Sequence, residues 1–262
     1  MHQLKIRLTA LIYVFIVLLL VIVAVVLYLI FFINGSATAS VGNNWFSIKQ
    51  ASPLITNGKL WVNFAGIEGC EYCAIERFAL FYALSNFGNW TYYGKTTSLN
   101  TLPGDNSSNL PAENALFFKA YEGDWTINFL NPHLVYASKY VNFTSEELFN
   151  DQSPKPGPLQ TFTPLENSYA LKYDANGAVP FTIIGGNFFE IGAGTSLAPS
   201  GTPLIIALNG TGYLPVYIIN QFNTTGSAIN KGITEEANYI TAMICKDINN
   251  AAPVCSSSLP KV

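Results

Sequence analysis

The chain has 262 residues, of which 50% are hydrophobic, 14% aromatic and only 11% charged, with a formal net charge of −3. An ordinary globular domain carries about 25% charge, so this balance excludes a disordered chain. With no basic run among its 13 Lys and Arg, it also excludes an electrostatic nucleic-acid binder.

Residues 10–33 are 24 positions without a charged side chain. As a helix rising 1.5 Å per residue they would span about 36 Å, enough for a hydrocarbon core of about 30 Å. The pattern predicts a cytoplasmic stub at 1–7, a transmembrane helix at 8–33, a tether at 34–52 and a folded domain at 53–262. A signal-peptide core is shorter, about 7–15 residues, although the small residues at 35–40 would also suit a cleavage site. Lys5 and Arg7 precede the run, which predicts a single-pass protein of the cell membrane with its N-terminus inside and its domain outside. Asn-X-Ser/Thr patterns at Asn34, Asn89, Asn106, Asn142, Asn209 and Asn223 are compatible with a glycosylated exterior. Four cysteines in two close pairs suit an oxidising compartment.

Within the domain, the apolar, β-prone residues 60–65 predict a strand. After Cys70 the pattern turns helical, with Ala74, Phe78 and Phe81 on one face and Ile75, Ala79 and Tyr82 on the next, ending at Phe87-Gly88. Residues 89–114 read as loop, 125–130 and 134–143 as extended, 152–164 as a proline-rich connection and 165–172 as a helix. Residues 179–184 and 188–192 form a hairpin around Gly185-Gly186-Asn187. Thr234 is placed to cap a last helix with Glu235 and Glu236 in its first turn, running to Cys245.

Cys70-Glu71-Tyr72-Cys73 lies where the first strand passes into the helix. A sulfur at a helix N-terminus meets unpaired N–H groups and the positive end of the dipole, which stabilise a thiolate, and a second sulfur three residues on can close a disulfide with it. Cys70 is thus the candidate attacking thiol and Cys73 the resolving one. Glu68 and Glu71 flank Cys70 and would raise its pKa, favouring a reducing or weakly oxidising couple. Arg77 would stabilise the Cys73 thiolate or pair with Glu76.

A C-x-x-C that follows a strand, opens a helix and is joined about a hundred residues later by Val179-Pro180-Phe181 resembles the thioredoxin fold. The resemblance implies an α/β, thioredoxin-like domain with a large insertion at about 89–165 and a cis-proline at Pro180. It implies too that the backbone of Val179, with Pro180 and Tyr72, receives an extended substrate segment. The blocks 69–80, 138–143, 178–181 and 241–245 together resemble an archaeal family of membrane-anchored, thioredoxin-like proteins of unknown function.

Cys245 and Cys255 enclose a turn-rich segment and read as a structural disulfide. His133 is the only histidine after His2, so a histidine-based metal centre or a Ser-His-Asp hydrolase lacks material, and no phosphate-binding glycine loop occurs. No cofactor or metal is expected. The combined expectation is a membrane-anchored, extracytoplasmic thiol-disulfide oxidoreductase acting on protein thiols or disulfides outside the cell, with a membrane redox partner admitted. The alternative is a redox-inert binding or scaffold module with structural disulfides. The sparse charge predicts stability that changes little between about pH 3 and 7.

Overall fold

A computed structural model describes residues 16–19, 21–23, 38–42, 44–48, 52–67, 70–98, 117–119, 125–148, 160–174, 176–194 and 215–262. Contacts divide the chain into Met1–Thr38 and Ala39–Val262. In the first unit, residues 16–19 and 21–23 are helical and exposed; the rest of residues 8–33 lies outside the described residues. Crossing a bilayer takes about 20 apolar helical residues, and among the described residues no helix is long and apolar enough. The expected transmembrane helix at 8–33, and with it the single-pass membrane localisation, is corrected accordingly.

The second unit is mixed α/β. Its strands are β1 (Thr38–Gly42), β2 (Trp45–Ile48), β3 (Ile55–Thr56), β4 (Lys59–Gly66), β5 (Gly88–Tyr92), β6 (Lys95–Thr97), β7 (Phe117–Lys119), β8 (Trp125–Ile127), β9 (Leu134–Ser138), β10 (Val141–Glu147), β11 (Phe181–Ile184) and β12 (Phe188–Ile191). Its helices are α1 (Glu71–Ser85), α2 (Pro164–Tyr173), α3 (Pro215–Asn223) and α4 (Ala228–Asp247). The main sheet runs β1-β2-β12-β11-β4-β10, with β3 added to β4. β10 is parallel to β4, while β11 is antiparallel to both β4 and β12.

β4 is apolar along almost its whole length because both faces of the sheet are covered. Leu60, Val62 and Phe64 point into one core, shared with Ile75, Phe78 and Phe81 of α1 and with Ile233, Ile240 and Met243 of α4. Trp61 and Ala65 point the other way, into a smaller core with Ala170 of α2, Phe181 and Phe189. The dithiol helix is therefore held between the sheet and α4.

Three boundaries differ from the sequence reading. Trp45–Ile48, read as tether, is a strand on β12, with Trp45 fully buried. β10 lies inside the segment read as an insertion yet pairs in register with β4, Asn142 opposite Trp61 and Thr144 opposite Asn63. Part of the loop read at 89–114 is strand: β5 pairs with β6 and β9 in a second, three-stranded sheet. Its β-branched and aromatic residues, Trp90, Thr91, Tyr92, Thr96 and Thr97, outweigh the turn residues around them.

On the α2 side of the sheet, Asn63 donates through Nδ2 to Glu146 Oε2 (2.6 Å) and Thr144 Oγ1 (2.9 Å). Burial pushes the Glu146 carboxyl up to about 8, opposed by the Asn63 donor and reinforced by Glu166 and Glu147. Burial likewise raises Asp247 to about 6, against the lowering effect of Asn187 and Lys246. A carboxyl whose folded pKa lies above its unfolded value contributes stability that is fully present below the unfolded pKa and is lost as pH rises through the folded one. For Glu146 that window runs from 4.5 to about 8, so the pH-indifference expected from composition gives way to a loss of stability on the alkaline side. Glu146→Gln keeps an acceptor for Asn63 and removes the titration. Its melting temperature should fall less than the parent's between about pH 5 and pH 8 by scanning calorimetry; equal slopes would contradict this assignment.

Candidate dithiol site

The helix α1 begins at the first cysteine. Cys70 is its N-cap, with extended backbone (φ −84°, ψ 121°), and its Sγ accepts from the Cys73 backbone N–H at 3.2 Å. An N-cap side chain that satisfies an unpaired N–H of the first turn fixes where the helix starts. Cys70 remains partly accessible, whereas Cys73, one turn inward, is fully buried, and both are free thiols. Tyr72, between them, is 39% exposed.

The Val179–Pro180 peptide is cis, and Pro180 is buried. The Cys70 thiol donates to the Val179 carbonyl across 3.8 Å. Two segments more than a hundred residues apart thus meet at one sulfur, with the Val179 backbone beside it.

Beneath the sulfurs lies an ion pair. Arg77 donates through Nε to Glu147 Oε1 (2.8 Å) and through Nη2 to Glu147 Oε2 (2.6 Å), and both side chains have no exposure. Nη2 also donates to the Ile67 carbonyl (3.2 Å), and the guanidinium lies over the Phe64 ring. Gly66 makes room for this: a Cβ there would stand 2.8 Å from the Phe64 ring and 3.3 Å from Arg77 Nη2.

The two thiols are driven apart electrostatically. Donation from the Cys73 thiol lowers the Cys70 pKa; burial opposes this, and the Cys73 N–H, the Arg77 charge and the Tyr72 N–H reinforce it. Burial holds Cys73 well above its ordinary range, with its donation to Cys70 and the Cys70 charge adding and Arg77 opposing. Deprotonation of the pair therefore falls first on the accessible sulfur, the arrangement attack requires.

The other expected site residues fare unevenly. Arg77 acts on both sulfurs, but its partner is Glu147, not Glu76; Glu76 is buried on a different side of α1 among Glu190 and Glu236. Glu68 and the Glu71 side chain, expected to raise the Cys70 pKa, lie outside the described residues. Cys245 and Cys255 form a disulfide with Cα atoms 5.4 Å apart, joining the end of α4 to the tail. Asn89 and Asn223 are exposed, and Asn142 is half-buried with its Nδ2 donating to Thr56 Oγ1 (2.7 Å); Asn34, Asn106 and Asn209 lie outside the described residues. Glu147 escaped the sequence reading. Its signal was indirect, since an arginine on an apolar helix requires a buried carboxylate.

A family model described as a domain of unknown function (DUF929) matches residues 46–154. The match begins in β2, includes Cys70, Cys73, Arg77 and Glu147, and ends before Pro180. It is consistent with a family of unknown function and establishes neither the thioredoxin likeness nor an archaeal source. No curated protein matches the chain. No solved structure matches it either.

If donation from Cys73 holds the Cys70 pKa down, Cys73→Ser, which keeps an O–H donor, and Cys73→Ala, which has none, should separate. The pH profile of iodoacetamide alkylation at Cys70 should shift to higher pH in Cys73→Ala relative to Cys73→Ser. Coincident profiles would contradict the hydrogen bond.

Proposed function

We propose that the protein is a thiol-disulfide oxidoreductase that exchanges electrons with cysteines of other proteins through Cys70 and Cys73. The observation that carries this reading is the asymmetry of the pair: an accessible, helix-capping Cys70 with a lowered pKa, and a buried Cys73 with a raised one. A purely structural disulfide requires no such division.

In the reducing direction, the Cys70 thiolate attacks one sulfur of a partner disulfide. A mixed disulfide forms and the partner's other sulfur leaves as a thiolate, which takes up a proton. Cys73 then loses its proton, helped by the Arg77 charge, and attacks Cys70 Sγ. The Cys70–Cys73 disulfide forms and the partner leaves with two reduced cysteines; two electrons have passed from the dithiol to the partner. Oxidation of a partner is the same sequence reversed. A lowered Cys70 pKa stabilises the reduced dithiol and so shifts the couple in the oxidising direction. Val179, next to the cis bond and in contact with Cys70, offers backbone groups on which an extended partner segment can pair as an added strand.

Blocking resolution separates this reading from an inert module. With a disulfide-linked peptide pair as substrate, Cys73→Ala should accumulate a mixed disulfide through Cys70, seen as a mass increase that dithiothreitol removes. Cys70→Ala should accumulate none. Absence of an adduct on Cys73→Ala would count against exchange activity and for a structural role of the pair.

A further inference from the structure

Apart from the dithiol, the described residues bring three carboxylates together inside the fold. Glu76 extends from α1, Glu190 from β12 and Glu236 from α4, and each is fully buried. One oxygen from each lies within 4.8 Å of the others. Three negative charges at that spacing in a low-dielectric interior cannot persist without a counter-charge. Arg77, the neighbouring residue, is directed to Glu147, and the charged groups acting on Glu76 and Glu190 are the other carboxylates of the cluster.

A second observation bears on how the cluster is neutralised. Both oxygens of Glu76 and both oxygens of Glu190 are buried without a hydrogen-bond partner. Shared protons would join the carboxyls by O–H···O hydrogen bonds; none links them. Two fully buried carboxylates with unpartnered oxygens, each bringing one oxygen within 4.8 Å of Glu236, are instead what a cation would hold together. Glu236 is oriented from behind, its Oε1 accepting from the fully buried indole N–H of Trp45 at 2.6 Å, as outer-sphere donors orient metal-binding carboxylates.

We infer that Glu76, Glu190 and Glu236 form a buried site for a divalent cation of the calcium type. An all-oxygen set without sulfur or imidazole selects a hard cation. Ligands facing each other across Ca²⁺, at about 2.3–2.6 Å from the ion, stand about 4.6–5.2 Å apart, whereas across Mg²⁺ they stand about 4.0–4.2 Å apart. Oxygens within 4.8 Å of one another fit either span; what favours Ca²⁺ is the full burial of the site, since Mg²⁺ gives up its waters reluctantly and is seldom held by an all-protein cage. One oxygen of Glu236 and both unpartnered oxygens of Glu76 and Glu190 supply up to five ligands, and water would complete the six or more that Ca²⁺ takes. The ion ties α1, β12 and α4 to one point, and the inference does not depend on the dithiol being redox-active.

The test uses the full chain stripped with EDTA and returned to CaCl₂ or MgCl₂. Equilibrium dialysis should give one Ca²⁺ per chain. At about a hundredfold excess over the dissociation constant, CaCl₂ should raise the melting temperature by about 5–10 °C over EDTA, and by more than MgCl₂ does. Tb³⁺, a calcium surrogate, should luminesce on tryptophan excitation because Trp45 contacts Glu236, and Ca²⁺ should quench that signal by competition. Glu190→Gln should abolish the calcium-dependent shift and the competed signal. No bound Ca²⁺ with identical melting in CaCl₂ and EDTA would overturn the proposal, as would calcium binding undiminished in Glu190→Gln or a larger response to MgCl₂. Should Glu190→Gln not fold, the dialysis stoichiometry of the parent chain decides alone.

Discussion

The Arg77–Glu147 ion pair is the constraint around which the second unit is organised. Breaking a buried pair by removing one partner leaves an uncompensated charge, at a cost of about 3–5 kcal/mol, so α1 and β10 must meet where guanidinium and carboxylate coincide. That requirement fixes the dithiol helix against the parallel β4–β10 pair and explains the missing side chain at Gly66. The same guanidinium places the nearest positive charge under both sulfurs, where it favours thiolate over thiol. One interaction thus serves packing and chemistry together.

The elements around the dithiol were legible because they rest on local physics. The apolar run before Cys70, the helical spacing after it and Gly185-Gly186 between two β-prone stretches each name their own conformation, and Thr163 with Glu166 closes a capping box ahead of α2. What was not legible depends on distant partners. Trp45–Ile48 is short and flanked by polar residues, so only its pairing with β12 makes it a strand. The last helix starts at Ala228, capped by Ser227, about two turns before the expected cap at Thr234. Gly232 made the earlier start hard to see, and Glu236 is consequently buried mid-helix instead of facing solvent in a first turn.

The charge scarcity has a structural meaning that composition hid. Among the described residues eight carboxylates are buried, against a single arginine. Glu147 takes the arginine, Glu146 and Glu166 share the polar group around Asn63, and Asp247 accepts from Asn187. Asp174 accepts from the Ala178 N–H; Glu76, Glu190 and Glu236 form the remaining cluster, and the proposed divalent cation brings the counter-charge to it. Counting ionisable residues said how few there are; only the fold says that half of the acidic ones face inward.

The central claim is that Cys70 and Cys73 cycle between dithiol and disulfide. The reduction potential of that couple, measured by equilibrating the full chain against glutathione redox buffers and trapping free thiols, tests it most directly. Exchange activity with a stabilised Cys70 thiolate predicts a value between about −270 and −120 mV. A value below about −300 mV, the range of permanent structural disulfides, would contradict it.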